Sequence, residues 1–327
     1  MAPRDWKAQL RRAVDTDDRA ALTRLPKTDL HCHALLSAPL DAYERLIGHP
    51  LPPAPRVFGD FKTFVDYISA HLLPALSGAH AVRAIVAAAF ERMAAEGVVY
   101  AEMSFDLLVP EFVGLSDEAF AELVGDECAR VADRLLVGPE IGIARGLPVD
   151  VVAPRLHRWL ATGVFRSIDL YDDETLGVLS DFVPLYRAAQ ERGLKLKAHA
   201  GEFCGADRVR DSVASLDLHA VQHGIRAAES PAVAEYLAER GTVLHICPTS
   251  NYALGLCDTL ENHPARQLFD QGVKLTVNTD DFSLFGASAT DEIFNLRTMG
   301  FSSEEIVQIV ENGLQEMPEK QGIENRE

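Results

Sequence analysis

The chain has 327 residues, 47% of them hydrophobic, which is enough for one large core and predicts a single catalytic domain over residues 1–327. Its 49 acidic and 31 basic residues give a formal charge of -18, which argues against nucleic acid or an anionic membrane as partner and favours a small neutral or cationic molecule. The five cysteines form no CxxC pair, which predicts a reducing compartment. The N-terminus has no secretory signal, and the sequence has no long apolar stretch. We therefore expect a protein of the cytoplasm.

Eight short apolar runs alternate with helical patterns along the chain. Such runs predict strands buried on both faces, and their alternation with helices predicts a parallel sheet. Eight repeats favour closure into a (β/α)8 TIM barrel. The runs cover residues 28–36, 98–106, 137–147, 165–172, 195–201, 220–225, 242–248 and 274–280.

The segment 37–77 follows the first strand and is too long for a simple crossover. It contains several prolines and then the string FGDFKTFVDYI. An insertion at this position predicts a helical lid over the mouth of the barrel that includes Phe58, Phe61, Phe64 and Tyr67, with Phe61 and Phe64 facing the substrate. A plain helix that packs its aromatic residues on the barrel wall is an equally good interpretation.

Side chains suited to metal binding and proton transfer stand at the carboxyl ends of four predicted strands, which is where active sites assemble in such barrels. His31 and His33 occupy positions i and i+2 of the first strand and can bind one ion together, with Cys32 pointing away. Imidazole and carboxylate ligands suit zinc, and the remaining acids are free to transfer protons. The other candidates are His199, Glu202, His223, Asp280 and Asp281.

Each of these residues also has an ordinary interpretation when taken alone. His199 is typical of a hydrogen-bonded core histidine, Glu202 of a charge at a helix N-terminus, and the Asp280-Asp281 pair of a turn. Together they predict a metal-dependent hydrolase. The remaining histidines are interpreted as structural, including His263, which a helix start at Pro264 explains.

The chain resembles the adenosine deaminase family of the amidohydrolase superfamily in six strings that keep the family's order between residues 28 and 281: TDLHCH, KAHAGE, QHGIRA, CPTSNYALG, NHP and VNTDD. The resemblance implies a barrel with one zinc ion per chain, although iron or manganese also suits such ligands. The implied ligands are His31, His33, His199 and Asp280. The resemblance further implies that Glu202 protonates a ring nitrogen of an aminopurine, His223 orients the attacking hydroxide, and Asp281 takes a proton from the water.

Two recognition positions depart from the family pattern. Leu35 stands where the family has an aspartate that holds the ribose, and Asp172 stands where it has a glycine whose N–H faces the purine. We therefore expect a substrate other than simple adenosine, either without an ordinary ribose or a modified aminopurine or related heterocycle. An ordinary adenosine deaminase that tolerates both changes is the alternative. The expected substrate-contacting residues are Leu35, Phe61, Phe64, Asp172 and Gly201.

Two other functions remain open from the sequence. One is a zinc amidohydrolase that cleaves a different C–N bond in a heterocycle. The other is a non-catalytic descendant that binds a small molecule, but binding alone does not require a proton relay of Glu202, His223 and Asp281. The oligomeric state is left open.

Overall fold

A computed structural model describes residues 5–318. Its eight strands pair in parallel and in chain order, β1 with β2 through to β7 with β8. A bridge between Cys32 and Asp280, with the Asp280 N–H donating to the His31 carbonyl at 3.0 Å, joins the last strand to the first. The (β/α)8 TIM barrel is therefore confirmed. The strands are β1 (Lys27–His33), β2 (Val98–Asp106), β3 (Leu136–Ala144), β4 (Ser167–Tyr171), β5 (Lys195–Ala200), β6 (Ala220–His223), β7 (Val243–Ile246) and β8 (Lys274–Val277).

Helices surround the barrel and connect its strands. Many begin and end at residues that the sequence marks, such as the capping box of Ser302 with Glu305. The α-helices are Trp6–Asp15, Arg19–Thr23, Leu40–Ile47, Phe61–Tyr67, Ala79–Ala95, Val109–Val113, Asp117–Val131, Val149–Thr162, Leu179–Glu191, Ala206–Leu216, Pro231–Arg240, Pro248–Ala253, Ala265–Asp270, Phe282–Phe285, Ala289–Thr298 and Ser303–Gln315. Within residues 5–318 no single helix has the length and apolarity needed to cross a membrane, although the bent pair Phe61–Ala75 and Ala79–Ala95 meets those two criteria jointly.

The interior of the barrel contains a layer of buried charges below the candidate site. Lys197 and His199 lie at i and i+2 of β5 and therefore share the inward face. The Lys197 ammonium donates to Glu102 at 2.9 Å and also pairs with Glu140. An ammonium held between two carboxylates remains charged despite burial, so this layer forms a fixed floor for the site.

The segment after β1 is helical, as the sequence predicts. It contains helices Leu40–Ile47 and Phe61–Tyr67, followed by single turns at Ile68–Leu72 and Leu73–Ala75. The Phe58 N–H donates to the Ala253 carbonyl at 2.7 Å, which attaches the segment to the helix Pro248–Ala253 that follows β7. The inserted helices thus lie at the carboxyl end of the barrel.

Candidate active site

Four nitrogen and oxygen donors converge at the carboxyl end of the barrel. The Nε2 atoms of His31 and His33 lie 3.5 and 3.6 Å from Asp280 Oδ1. Donor atoms of His31, His33 and His199 all lie within 4.8 Å of one another. The structure therefore brings the three histidines within reach of one ion and places Asp280 against two of them, although β1, β5 and the segment after β8 are far apart in sequence.

The imidazole donors have surroundings that suit binding of a divalent metal. His199 Nδ1 is 3.2 Å from Asp169 Oδ1, and this contact leaves Nε2 free to face the other ligands. His31 is fully buried, yet neither of its ring nitrogens has a hydrogen-bond partner within residues 5–318. Such an unpartnered group is costly, and a bound cation would satisfy one of its two nitrogens. Three imidazoles and a carboxylate are a donor set that fits zinc.

Asp280 and Asp281 lie beyond the end of the last strand rather than within it. The sequence run extends to residue 280, whereas β8 ends at Val277. Asp280 has a φ of 55°, so alternation along a strand does not decide where the two side chains point. Burial, and then the charge of Asp280, raises the pKa of Asp281 well above its ordinary value. Asp281 nevertheless lines the same cavity as Asp280.

Glu202 is held by a second glutamate that sequence reasoning missed. The fully buried Glu174 accepts the backbone N–H groups of Gly201, Glu202 and Phe203 at 2.8, 2.9 and 2.8 Å. Burial, and then the nearby charge of Asp280, raises the pKa of the Glu202 carboxyl well above its ordinary value. Glu202 is therefore suited to act as an acid.

His223 lies between the acid and the donor cluster. Its Nε2 is 3.6 Å from Glu202 Oε1 and 3.8 Å from Asp280 Oδ2. Burial lowers the pKa of His223 well below its ordinary value, so the ring is neutral. Its Nδ1 contacts Asn251 at 3.1 Å, another residue that sequence reasoning did not single out. Cys247 also lies in this cluster, with a donor atom within 4.8 Å of those of His31, His223 and Asp280.

A cavity of about 650 Å³ opens from the donor cluster to the surface. Leu35, Phe61, Phe64 and Asp172 line it, as the sequence leads us to expect. Gly201 does not line it. Its N–H is bound by Glu174, and a Cβ at this position would come within 2.2 Å of Val209, so Gly201 allows close packing of the loop behind the site.

The cavity has acidic and apolar walls. Asp106, which accepts a hydrogen bond from the Tyr171 hydroxyl, and Asp172 provide carboxylates on the side of β2 and β4. Asp172 has a φ of 81° and so keeps a backbone conformation that favours glycine. None of the lining residues drawn from positions 5–318 is Lys or Arg. The described walls thus provide hydrogen-bond acceptors and apolar contacts, but no Lys or Arg side chain for a phosphate.

A closed (β/α)8 barrel with histidine and carboxylate donors and buried acids at its carboxyl end is the architecture of a metal-dependent hydrolase. A sequence model of adenosine deaminase matches residues 49–321. Adenine deaminase of Sinorhizobium medicae is 30% identical over 312 residues, which cover 89% of this chain and 93% of that protein. Adenine deaminase of Rhizobium johnstonii is 31% identical over 307 residues, with coverage of 87% and 92%.

Among solved structures, adenine deaminase from Arthrobacter aurescens superposes with a TM-score of 0.82 at 26% identity and covers 90% of this chain and 94% of its own. The chain belongs to the adenosine deaminase family, and the resemblance read from its motifs is confirmed. It is a hydrolytic deaminase that acts on C–N bonds.

Proposed function

We propose that the protein uses one Zn²⁺ per chain to hydrolyse the C–N bond of the amino group on an aminopurine, which releases ammonia. The observation that carries the proposal is the unpartnered, fully buried imidazole of His31 beside three further donors and the buried acid Glu202. The residues that would hold the ion are His31, His33, His199 and Asp280. When bound, the metal would lower the pKa of water from about 15.7 to about 7 and so supply the nucleophile at neutral pH.

Glu202 activates the substrate in this proposal. The amino-bearing carbon of an aromatic ring is a poor electrophile until an adjacent ring nitrogen is protonated. Glu202 lines the cavity, and its raised pKa keeps a proton available for that nitrogen. Three backbone N–H groups of the loop that carries Glu202 donate to Glu174 and hold this loop in place. Substrate binding therefore does not have to order the acid.

Asp281 and His223 act on the attacking water and on the departing amine. Asp281 lines the cavity next to the donor cluster, and its raised pKa suits a group that accepts a proton from the attacking water and passes it to the departing amine. His223 is neutral and has one nitrogen directed between Glu202 and Asp280. It therefore orients the attacking oxygen while Asp281 handles the proton.

We further propose that the substrate is a free base, such as adenine. A free purine carries an N–H on its five-membered ring, whereas a nucleoside has a sugar there. Asp172 and Asp106 offer carboxylate acceptors for that N–H, and Leu35 offers no acceptor for ribose hydroxyls. The absence of Lys and Arg from the described cavity walls disfavours a nucleotide. The adenine deaminase relatives agree with this choice.

The segment 37–77 is proposed to cover the cavity mouth as a lid of a single catalytic domain spanning residues 1–327. Phe61 and Phe64 line the cavity, while Phe58 packs edge-on against Phe64, with the ring centroids 5.5 Å apart. Aromatic cover of this kind would exclude bulk water during the reaction.

A reducing setting such as the cytoplasm is proposed because all five cysteines are free. Disulfides are rare in reducing compartments. The only partner we propose is the small aminoheterocycle.

Glu202→Gln tests the acid assignment. We expect this variant to bind zinc like the parent protein but to lose at least about 100-fold in kcat, because an amide cannot deliver the proton. Zinc content by elemental analysis and ammonia release from adenine are the measurements. Glu292→Gln, a change at another fully buried glutamate that does not line the cavity, is the control. A fully active Glu202→Gln protein would refute the acid role.

The choice of substrate is tested by the ratio of kcat/KM for adenine to that for adenosine. We expect the wild-type ratio to exceed about 100, since a site built for an N–H rejects a ligand that lacks it. Asp172→Gly combined with Leu35→Asp should shift the ratio at least about tenfold toward adenosine. Asp172→Gly is compatible with the backbone, because glycine favours the positive φ there. A wild-type preference for adenosine would show that Leu35 and Asp172 do not change the substrate from that of an ordinary adenosine deaminase.

A further inference from the structure

A row of three buried polar side chains runs outward from the candidate site. His223 Nδ1 lies 3.1 Å from Asn251 Nδ2, and Asn251 Oδ1 lies 3.1 Å from His263 Nε2. The row ends at Ala265, whose backbone N–H donates to His263 Nδ1 at 3.1 Å. The three side chains are at most 3% exposed, so water does not compete for their polar atoms.

The backbone N–H of Ala265 fixes the direction of every hydrogen bond in the row. A backbone N–H can only donate, so His263 Nδ1 must accept, and a neutral imidazole then carries its proton on Nε2. Burial lowers the pKa of His263 to about 4, which keeps this ring neutral. His263 Nε2–H therefore donates to Asn251 Oδ1, and the amide NH2 of Asn251 is left to donate to His223 Nδ1.

The last bond of the row decides which nitrogen of His223 carries the proton. Because Nδ1 accepts from Asn251, the proton of the neutral ring lies on Nε2. That nitrogen is 3.6 Å from Glu202 Oε1 and 3.8 Å from Asp280 Oδ2. The N–H is thus directed into the space between the acid and the metal donor cluster.

We propose that Asn251 and His263 are positioning residues that hold His223 in its Nε2–H form, so that His223 donates a hydrogen bond to the attacking oxygen and does not act as a base. The inference rests on the proposed function, which places that oxygen between Glu202 and the donor cluster. A hydrogen-bond donor that is already in position before the reaction stabilises the negative charge that develops on the oxygen. Asp281 then accepts the proton of the attacking water.

Asn251→Asp tests the row with almost no change of shape. A carboxylate at this position accepts from both His263 and His223, so that a neutral His223 ring carries its proton on Nδ1 and no longer offers a donor to the site. We expect kcat for adenine to fall about 100-fold, as when one donor to a developing oxyanion is removed. KM should change less than about threefold and zinc content not at all, because Asn251 does not line the cavity.

His263 is tested by a pair of variants. His263→Gln can still accept from Ala265 and donate to Asn251, so it should retain most of the activity that His263→Phe loses. Asn312→Asp is the control, because Asn312 is also a buried amide and donates to the Leu275 carbonyl at 2.9 Å, outside the row. It should lower stability without lowering kcat per zinc-loaded molecule.

Nitrogen-15 spectra of histidine-labelled, zinc-loaded protein give a readout that does not depend on turnover. The His223 signals, identified by their loss in His223→Ala, should show Nε2 protonated in the wild type and Nδ1 protonated in Asn251→Asp. A wild-type His223 protonated on Nδ1, or an Asn251→Asp kcat within about twofold of the wild type, overturns the proposal. An Nε2-protonated His223 in a protein without turnover on any aminopurine supports the tautomer and overturns the proposed function.

Discussion

Glu174 illustrates how one buried residue determines the place of another. Its carboxylate is fully buried and accepts three consecutive backbone N–H groups from the loop that carries Glu202. A charged acceptor forms stronger bonds with N–H groups than a neutral one. Glu174→Gln places an amide NH2 against some of these donors.

We therefore expect Glu174→Gln to keep its zinc, to melt at a lower temperature and to lose about tenfold or more in kcat, since a displaced acid protonates the substrate poorly. Steady-state kinetics, elemental analysis and thermal melts check these outcomes, with Glu292→Gln again as the control. Unchanged kcat in a Glu174→Gln protein of lower stability would limit Glu174 to a structural role.

Some site residues could be predicted from the sequence because they follow a local spacing pattern, whereas others function through contacts with residues far away in the chain. His31 and His33 stand two apart on a strand, and the ends of parallel strands meet at one edge, so their convergence with His199 follows from local patterns. Asp169, Glu174 and Asn251 act through partners roughly 30 residues away in the chain. No local pattern marks such pairs.

At the scale of elements, the apolar runs predict every strand of the barrel but extend several of them too far. The last run continues to residue 280, whereas β8 ends at Val277. His223 and Asp280 have φ values of 59° and 55° at these ends, because a residue that turns toward the site leaves the extended conformation. The strands follow from hydrophobic periodicity, whereas the catalytic ends depend on contacts between loops.

The inserted helix Phe61–Tyr67 allows a test of the lid. Phe64 lines the cavity, stacks on Phe285 with ring centroids 5.7 Å apart and is 7% exposed. If the segment closes over the substrate, Phe64→Ala should raise KM for adenine about tenfold, because apolar contact and exclusion of water are both lost.

Phe269→Ala is the control for the lid, since Phe269 lies on helix Ala265–Asp270 and does not line the cavity. Kinetics on adenine should leave the control near the wild type. Equal KM values for Phe64→Ala and the wild type would instead support a helix that only packs against the barrel wall.

At the scale of the whole molecule, closure of the barrel brings site residues from the first and the last strand regions together. β1 carries His31 and His33, and the segment after β8 carries Asp280, which bridges back to Cys32. The loop after β5 adds Glu202 from the opposite side. The same closure buries the donors, and this burial makes an unpartnered imidazole costly and a bound cation favourable.

We propose that these donors hold one divalent cation on which turnover depends. The most direct measurement is adenine deamination by protein depleted of metal with a chelator and then titrated with Zn²⁺, with bound metal determined in each sample. We expect activity to be lost with the metal and to return in proportion to zinc until one ion is bound per chain. Full activity in protein stripped of metal would contradict the account.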